Sequence, residues 1–358
     1  MTNSLLEKYF SAISHIIPQK ETVSSLGLDI GVDSCKVVET VKTGDGYQVI
    51  NWGIEPIENA DTQGSVKKLL SRLKIQSKSP NTAVFGKGTL IRYIEMPRMS
   101  MEDLKKSFDI EADKYFPFAR DQIYTSCYIL DPVAKDKQMS VLVAAVKKEI
   151  INERMELIFN LGLQPNFITL NPIAIANVFY SSGEENPKNK TVKEGIVPSA
   201  TAVLDIGETV SSLVIMIDNL PRFTRDIFLG GQDFTKKISN ALGISLAEAR
   251  KLKYQPGDRA QEILSLCDST LMNLASEVRL SFDYFMTERN IPVTKLFLTG
   301  GASTLSGLLE LFSKSLDISI EKWNPIVSLK ISNVLDDDFN KNINRLGVAL
   351  GLALYHHA

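Results

Sequence analysis

Residues that commonly bind transition metals or act as nucleophiles are scarce in this sequence. Its 358 residues include three cysteines and three histidines. Cys35, Cys127 and Cys267 lie far apart and form no CxxC pair, which argues against a disulfide framework and against a zinc site. His15 stands alone, and the other two histidines lie together near the C-terminus. We therefore expect neither a histidine metal centre nor a Ser-His-Asp triad.

An excess of one charge and long apolar runs are also missing. The 40 Lys and Arg residues against 42 Asp and Glu residues give a net charge of −2, which argues against a dedicated nucleic-acid binder, because such proteins cluster cations against phosphates. No uninterrupted apolar run reaches about 18 residues, and no signal-peptide pattern opens the chain. We expect a cytoplasmic α/β protein with no transmembrane segment and no nucleic-acid partner.

Two segments differ from the rest of the chain in their pattern. Residues 1–25 place apolar side chains at helical spacing before Pro18, which predicts an amphipathic helical appendage. That helix could pack on its own protein or dock on a partner or a membrane. Residues 181–199 are polar and rich in Gly, Pro, Lys and Glu, which is typical of a flexible connection between two halves.

The most informative feature is a repeated Asp-Ile-Gly motif. Asp29 to Gly31 and Asp205 to Gly207 each end an apolar strand and precede a turn and a second strand. A glycine at this point lets backbone N–H groups approach an anion without a Cβ in the way. The preceding Asp is suited to holding Mg²⁺, usually through water, because hard cations take oxygen ligands. The repeat therefore predicts two phosphate-binding hairpins, although either Asp alone could simply cap its turn.

Further polar residues are placed where a nucleotide would need them. Ser34 and Lys36 in the first hairpin, and Ser211 and Ser212 in the second, can hydrogen-bond phosphate oxygens. A predicted buried strand leads into Gly300-Gly301 and then Ser303, where close approach of a base or phosphate is possible. Glu248 and Lys251, three residues apart on a predicted helix, are candidates for ribose and purine contacts. The alternative for this last pair is an ordinary solvated ion pair.

Several segments carry a family resemblance. Glu111 to Phe118 is similar to an E-x-x-K-Y-I-P-F segment, Arg225 precedes a G-G-x-x-x-T stretch, and Gly347 to Ala353 closes the chain with a matching small-residue motif. With the two hairpins, these segments resemble the type IV pilus assembly protein PilM family of the actin-like ATPase superfamily, related to FtsA and to the cytoplasmic domain of GspL. The resemblance implies an α/β fold with two ribonuclease-H-like lobes and a small α+β subdomain inserted in the first lobe.

The resemblance also implies a division of the chain. The first lobe would take residues 26–96 and 162–180, with the inserted subdomain at 97–161 between these parts. The second lobe would take residues 200–325, and residues 326–358 would return to the first lobe.

The family's properties imply a function. A member would bind ATP and Mg²⁺ between its lobes and would hold the cytoplasmic N-terminal peptide of a PilN-like inner-membrane protein. The protein would then lie on the cytoplasmic side of that membrane, held there by its partner. It would link this partner to the pilus motor ATPase or platform protein, and it could form homo-oligomers. Tyr115, Phe116 and Phe118 are candidates for the peptide groove, although such aromatic residues are more often core.

Two departures from the family pattern bear on catalysis. Where the family has acids in a V-D-x-E segment, this chain has Ile168 to Asn171, and Thr or Asn cannot act as a general base. We therefore expect slow ATP hydrolysis or none. Glu208 brings a carboxylate near the expected phosphates, where it could point away or weaken binding by repulsion. Alternatives are a GspL-like protein, an FtsA-like filament former, or a small-molecule kinase of the same superfamily.

Overall fold

The computed structural model describes residues 24–43, 46–132, 137–182, 199–325 and 337–355. The amphipathic helix predicted for the N-terminus and most of the connection predicted at 181–199 lie outside these ranges. Within them, none of the helices combines the length and the hydrophobicity that a membrane span requires.

The first lobe is built on a five-stranded sheet. Its strands are β1 Ser24–Ile30, β2 Ser34–Thr43, β3 Gly46–Pro56, β4 Asn81–Val84 and β8 Phe167–Leu170. The order across the sheet is β3-β2-β1-β4-β8, with β1, β2 and β3 antiparallel and β4 and β8 parallel to β1. Leu28 lies opposite Val37 in this sheet, and both side chains are fully buried. Leu26 and Ile30 lie on the same face of β1 as Leu28 and are also buried, so this face of the strand belongs to the core.

Four helices cover the two faces of this sheet: α1 Thr62–Arg72, α3 Lys148–Asn160, α4 Asn171–Ser182 and α10 Gly347–Ala353. The helices α1 and α3 share one core with β1 and β2. The helices α4 and α10 share another core with this sheet and with the five-stranded sheet of the second lobe. The pair α4 and α10 therefore joins the lobes.

The small residues of α10 allow this close packing. A Cβ on Gly351 would lie 1.8 Å from the carbonyl oxygen of Ala174 in α4, and a Cβ on Gly27 would lie 2.0 Å from the carbonyl oxygen of Ala349. Thr40 donates a 2.6 Å hydrogen bond to the carbonyl oxygen of Ala353. The small-residue motif that closes the chain thus serves helix packing.

The second lobe repeats the strand order of the first. Its strands are β9 Ala200–Ile206, β10 Ser211–Ile217, β11 Leu220–Ile227, β12 Val293–Thr299 and β13 Ser319–Lys322, in the order β11-β10-β9-β12-β13. Its helices are α5 Gly231–Leu242, α6 Leu246–Tyr254, α7 Ala260–Arg289 and α8 Leu308–Leu316. The short helix α9 Asp337–Asn342 instead packs its Phe339 against Trp52 of β3 in the first lobe. Asp218 and Asn219 both have positive φ, 49° and 64°, as the tight turn between β10 and β11 requires. The two lobes are therefore two copies of one ribonuclease-H-like design.

The segment after Gly300 is not one continuous helix. A 3-10 turn spans Gly301–Thr304, and α8 begins only at Leu308. Gly307 interrupts the helical path with a φ of 83°, a conformation that glycine adopts readily.

A small α+β unit is inserted between β4 and β8. It consists of β5 Thr89–Pro97, α2 Met101–Tyr115, β6 Ile123–Ile129 and β7 Gln138–Lys147, with the sheet order β5-β7-β6. Ser100 caps α2 by accepting a hydrogen bond from the backbone N–H of Asp103. The unit begins eight residues before the expected start at Pro97, and α3, expected within it, packs on the first-lobe core.

Candidate functional site: a cleft between the two lobes

An open cleft lies between the lobes, at the turns that follow β1 and β9. The space within it and at its mouth, open solvent included, is about 680 Å³. The predicted site residues that line it are Asp29, Gly31, Ser34, Lys36, Asp205, Gly207, Ser212, Gly300 and Gly301. The structure therefore brings both motif copies and the paired glycines to one place.

The two hairpin turns are closed in the same way. The backbone N–H of Gly31 donates to the carbonyl oxygen of Ser34 at 3.1 Å, and that of Gly207 donates to the carbonyl oxygen of Val210 at 3.1 Å. Each hydrogen bond spans three residues, so the turns have equivalent backbone paths. Two equivalent turns that face one cleft are suited to binding a ligand with several phosphate groups.

In the first turn, Asp29 forms a buried ion pair with Lys36. The Lys36 Nζ lies 2.8 Å from Asp29 Oδ2, and the two side chains are 12% and 8% exposed. Burial opposes the charge on Lys36, but the attraction of Asp29, Asp33 and Asp205 outweighs it and raises the lysine pKa. Lys36 therefore stays protonated at the floor of the cleft.

The second turn has no equivalent lysine. Burial and the negative charge of Asp29 raise the pKa of Asp205 to about 7 from an ordinary value of 3.8, although Lys36 lowers it in part. Two carboxylates thus face one cleft with one lysine between them. A divalent cation would relieve their repulsion.

The paired glycines have separate roles. Gly300 has a φ of 90°, and a Cβ there would lie 2.5 Å from Asp205 Oδ1 and 2.5 Å from the carbonyl oxygen of Ile206. A Cβ on Gly301 would meet only the Tyr254 hydroxyl within 4 Å, at 3.9 Å. Gly300 therefore lets the chain pass beside β9, whereas Gly301 leaves space in the cleft.

Three of the predicted phosphate-binding hydroxyls donate hydrogen bonds to other groups of the protein. Ser211 donates to the carbonyl oxygen of Leu229 at 2.6 Å, and Ser303 donates to the carbonyl oxygen of Gly300 at 2.7 Å. Both side chains are buried. Ser212 lines the cleft but donates to Asp226 at 2.7 Å. In this structure the three hydroxyls support the loops around the cleft.

Glu248 and Lys251 lie elsewhere than predicted. Both are exposed on α6 and neither lines the cleft. The Glu248 carboxylate accepts hydrogen bonds from the backbone N–H and the hydroxyl of Ser245, at 3.0 and 2.7 Å, and so completes a capping box at the start of the helix. These bonds lower the pKa of Glu248. The pair is a local feature of the helix.

The cations of α6 that contact the loops at the cleft are two positions further along, and Tyr254 of the same helix lines the cleft. Arg250 contacts Asp33 at 3.1 Å and Glu208 at 3.2 Å. Lys253, which is buried, lies 3.5 Å from Glu208 and donates to the carbonyl oxygen of Gly231 at 2.7 Å. Glu208 therefore points towards α6, and its charge is balanced by two cations.

The sequence indicated the position of Asn171 but not its place in the cleft, and it gave no sign of Arg154, which lies behind the first turn. Asn171, the first residue of α4, lines the cleft, and its Oδ1 is buried with no hydrogen-bond partner among the described residues. Arg154 of α3 donates to the carbonyl oxygen of Ile30 and to Thr82 Oγ1, each at 3.2 Å. Burial lowers the pKa of Arg154 to about 10, while the charge of Asp29 opposes that shift. Arg154 thus supports the first turn from beneath.

The candidate groove aromatics belong mainly to the inserted unit's core. Phe116 is 4% exposed and its ring packs edge-on against Phe108 at 6.0 Å. Tyr115 and Phe118 are partly buried against the same core. Phe116 therefore cannot line an open groove.

The paired ribonuclease-H-like lobes and the cleft between them define an actin-like ATPase fold. A family model described as type IV pilus assembly protein PilM matches residues 27–357. The chain belongs to this family, which confirms the family resemblance and the fold predicted from the sequence.

Three individual proteins show how far the similarity extends. A solved PilM-PilN type IV pilus biogenesis complex contains a chain that is 26% identical, with a TM-score of 0.80 over 93% of this chain and 98% of that chain. The ethanolamine utilization protein EutJ from Carboxydothermus hydrogenoformans shares the fold at 16% identity, with a TM-score of 0.52 over 99% of each chain. The cell division protein FtsA of Enterococcus hirae is 23% identical over 230 residues, which are 56% of this chain and 49% of that protein.

Proposed function

We propose that this protein is a nucleotide-binding scaffold of a type IV pilus assembly machine. It binds ATP with Mg²⁺ in the cleft and holds a peptide of a PilN-like inner-membrane protein, which keeps it at the cytoplasmic face of that membrane. The observation that carries the proposal is the pairing of Asp29 and Asp205 across the cleft, at two equivalent turns with free space between them.

The cleft residues fit a magnesium nucleotide. The described residues contain no cluster of three His, Cys, Asp or Glu side chains that could hold a metal ion by themselves. Asp29 and Asp205 would instead hold Mg²⁺ together with phosphate oxygens and water, as is usual for this ion. The unpaired Oδ1 of Asn171 is a further oxygen acceptor for such water. Bound Mg²⁺ would neutralise charge on the phosphates.

The same residues predict slow hydrolysis. Asn171 cannot take a proton from water, and Thr169, two residues before it, cannot either. The carboxylates nearest the turns are already engaged, because Asp33 and Glu208 contact Arg250 and Asp226 accepts from Ser212. This supports a protein that holds nucleotide as a structural ligand. It also disfavours the kinase alternative, which needs a free base to activate a substrate hydroxyl.

Nucleotide titration combined with ADP detection tests this part of the proposal. We expect saturable binding of a fluorescent ATP analogue that depends on Mg²⁺, with turnover well below the ordinary enzyme range of about 1–1,000 per second. Fast turnover, especially if a sugar or another small hydroxyl compound accelerates it, would contradict the scaffold function and favour a kinase.

The outer edge of β6 offers a place for the peptide. The strand order places β6 at the edge of its sheet among the described strands, and Tyr124 and Tyr128 are 48% and 59% exposed. Tyr124 lies opposite Val146, which packs with Leu170 of the first lobe. The two tyrosines therefore share the sheet face that turns towards the first lobe. An extended peptide added to this edge would gain main-chain hydrogen bonds and aromatic contacts.

A double substitution tests the peptide site. A variant with Tyr124→Ala and Tyr128→Ala should bind a labelled N-terminal peptide of a PilN-like protein about tenfold more weakly or worse, because each exposed ring supplies a large contact area. Tyr180→Ala is the matched control, since Tyr180 is 66% exposed on α4. Equal affinity for all three proteins would place the peptide elsewhere.

A further inference from the structure

The apolar contacts of the inserted unit attach it to the first lobe. Ile91 of β5 and Val146 of β7 pack in one cluster with Val84 of β4 and Leu170 of β8. Among the described residues, none of the buried apolar clusters combines the inserted unit with the second lobe. Because apolar burial is what makes two parts of a chain hard to separate, the inserted unit should move together with the first lobe.

The contacts of the inserted unit with the second lobe include two ion pairs. Arg222 of β11 contacts Asp131 at 2.9 Å, and Arg289 at the end of α7 contacts Glu95 of β5 at 3.3 Å. All four side chains border a gap between the two units, and the space in and around this gap, open solvent included, is about 1010 Å³. Ion pairs that solvent reaches contribute little to stability, so these contacts can break when the lobes move apart.

A further polar contact joins this interface to the nucleotide cleft. The Asp226 carboxylate of β11 accepts hydrogen bonds from the Ser212 hydroxyl at 2.7 Å and from the backbone N–H of Gly86 at 3.2 Å. Ser212 lines the cleft and lies opposite Asp205, whereas Gly86 belongs to the loop that leads from β4 into the inserted unit. One side chain therefore touches both the wall of the cleft and the entry to the inserted unit.

The loop at Gly86 is bonded to both ends of the inserted sheet. Phe85, the residue before it, lines the cleft. The carbonyl oxygen of Gly86 accepts hydrogen bonds from the backbone N–H and the hydroxyl of Thr89, at 3.1 and 2.8 Å. The carbonyl oxygen of Gly88 accepts one from the backbone N–H of Lys147 at 2.9 Å. A displacement of this loop is therefore passed to the first residue of β5 and to the last residue of β7.

We propose that Asp226 couples occupancy of the cleft to the position of the inserted unit, so that bound nucleotide holds this unit against the second lobe. A nucleotide that contacts both turns resists separation of the lobes, and closed lobes keep Asp226, Arg222 and Arg289 within reach of their partners. When the cleft is empty, the lobes part more readily and these contacts break. By linkage, the closed interface raises the affinity for nucleotide by the same factor. The inference rests on the proposed nucleotide site and assigns Asp226 a role in positioning the unit that carries the proposed peptide edge.

Hydrogen exchange followed by mass spectrometry, with and without saturating Mg-ATP, tests this coupling. The readout is the segment Thr89–Pro97, because β5 lines no part of the cleft and is not protected by direct contact with nucleotide. In the wild type we expect exchange in this segment to slow at least about fivefold, the lower end of ordinary coupling between sites. The segment Ser319–Lys322, at the far edge of the second lobe's sheet, should not change.

Substitutions at Asp226 test whether its two hydrogen bonds are the link. Asp226→Ala removes both, so exchange in β5 should no longer respond to saturating nucleotide. Asp226→Asn should restore the response, because its amide oxygen can accept from Gly86 while its amide nitrogen donates to the Ser212 oxygen. Asp268→Ala, at an exposed position on α7, is the control and should respond like the wild type. If Asp226→Asn behaved like Asp226→Ala, the two hydrogen bonds would not be the link.

Arg289→Gln tests the same interface without changing a buried group. It breaks the ion pair with Glu95 and should weaken the response of β5 to nucleotide. A full wild-type response in both Asp226→Ala and Arg289→Gln would overturn the proposal. Calorimetry on the same samples separates the two levels of the account: binding of Mg-ATP without slower exchange in β5 contradicts the coupling alone, whereas no binding of Mg-ATP contradicts the nucleotide site as well.

Discussion

Asp29 and Asp205 occupy the same position in the two copies of the sheet, but the residues opposite them differ. Lys36 lies opposite Asp29 in the first lobe, and Ser212 lies opposite Asp205 in the second. A cation therefore neutralises one carboxylate, while the other has a neutral hydroxyl as its cross-strand neighbour. Burial and the charge of Asp29 raise the pKa of Asp205 to about 7, and the opposite Ser212 supplies no cation to counter that rise. The two turns should therefore respond differently to substitution and pH.

Asp205→Asn should make the protein less sensitive to pH. The folded-state pKa is about 7 against an ordinary value of 3.8, so between these values the folded state holds a proton that the unfolded chain has lost. Stability must then fall as pH rises through this range and stay low above it. Melting temperatures at about pH 5 and pH 8 should differ less for the variant than for the wild type. Asp268→Asn, at an exposed position on α7, is the control and should show the same difference in melting temperature as the wild type. If Asp205→Asn also shows that full difference, the raised pKa of Asp205 is contradicted.

Lys36→Met should destabilise the fold by about 3 kcal/mol, because it leaves the buried Asp29 without its partner. Adding Asp29→Asn to this variant should restore much of the loss, since the buried charge is then gone. Urea unfolding of the three proteins measures both effects. A cost below about 1 kcal/mol for the single variant, as for a surface ion pair, would show that Lys36 is not needed to balance Asp29.

Asn171→Asp should accelerate ATP hydrolysis, because a carboxylate can act as a general base where the amide cannot. General-base catalysis contributes about 10²–10⁴-fold in enzymes, and an introduced base with imperfect geometry should give at least about tenfold. The substitution suits the local structure, since Asn171 begins α4 and a negative charge is favourable at a helix N-terminus. Asn177→Asp, on the same helix, should leave turnover unchanged. Equal rates in the two variants would show that Asn171 does not limit hydrolysis.

Gly300→Ala and Gly301→Ala should have very different effects on stability. The first places a Cβ 2.5 Å from Asp205 Oδ1 on a backbone with a φ of 90°, which should cost at least about 2 kcal/mol. The second places its Cβ in open space and should change stability by no more than about 0.5 kcal/mol. Equal losses in thermal unfolding would mean that the loop can move and that Gly300 is not required for its path.

The sequence predicted the parts of this protein that repeat. Asp29 and Asp205 follow apolar strands with the same motif, and that repetition indicated both the two lobes and the cleft between them. Small residues in the closing segment supported the family assignment, although their packing against Ala174 depends on contacts between distant parts of the chain. The order of the strands depends on such contacts as well, so the sequence alone did not give it.

The sequence did not determine which side chains of α6 contact the loops at the cleft. Glu248 follows Ser245 by three residues, which is the spacing of a capping box, and this local signal could have corrected the assignment. Arg250 and Lys253, which contact Glu208, could not be recognised in the same way, because which face of a helix meets a neighbouring loop depends on its packing. Phe116 was likewise ambiguous, since an aromatic next to a proline can be surface or core until its neighbours are known.

A calorimetric titration of Mg-ATP into the wild type and into Gly301→Trp tests directly whether nucleotide binds in this cleft. A tryptophan side chain would extend into the open space beside Tyr254 and fill the cleft, while the open surroundings of the Gly301 Cβ allow the fold to form. We expect saturable, Mg²⁺-dependent binding to the wild type and no measurable binding to a variant that still unfolds cooperatively. Equal binding of Mg-ATP by both folded proteins would show that nucleotide does not occupy this cleft.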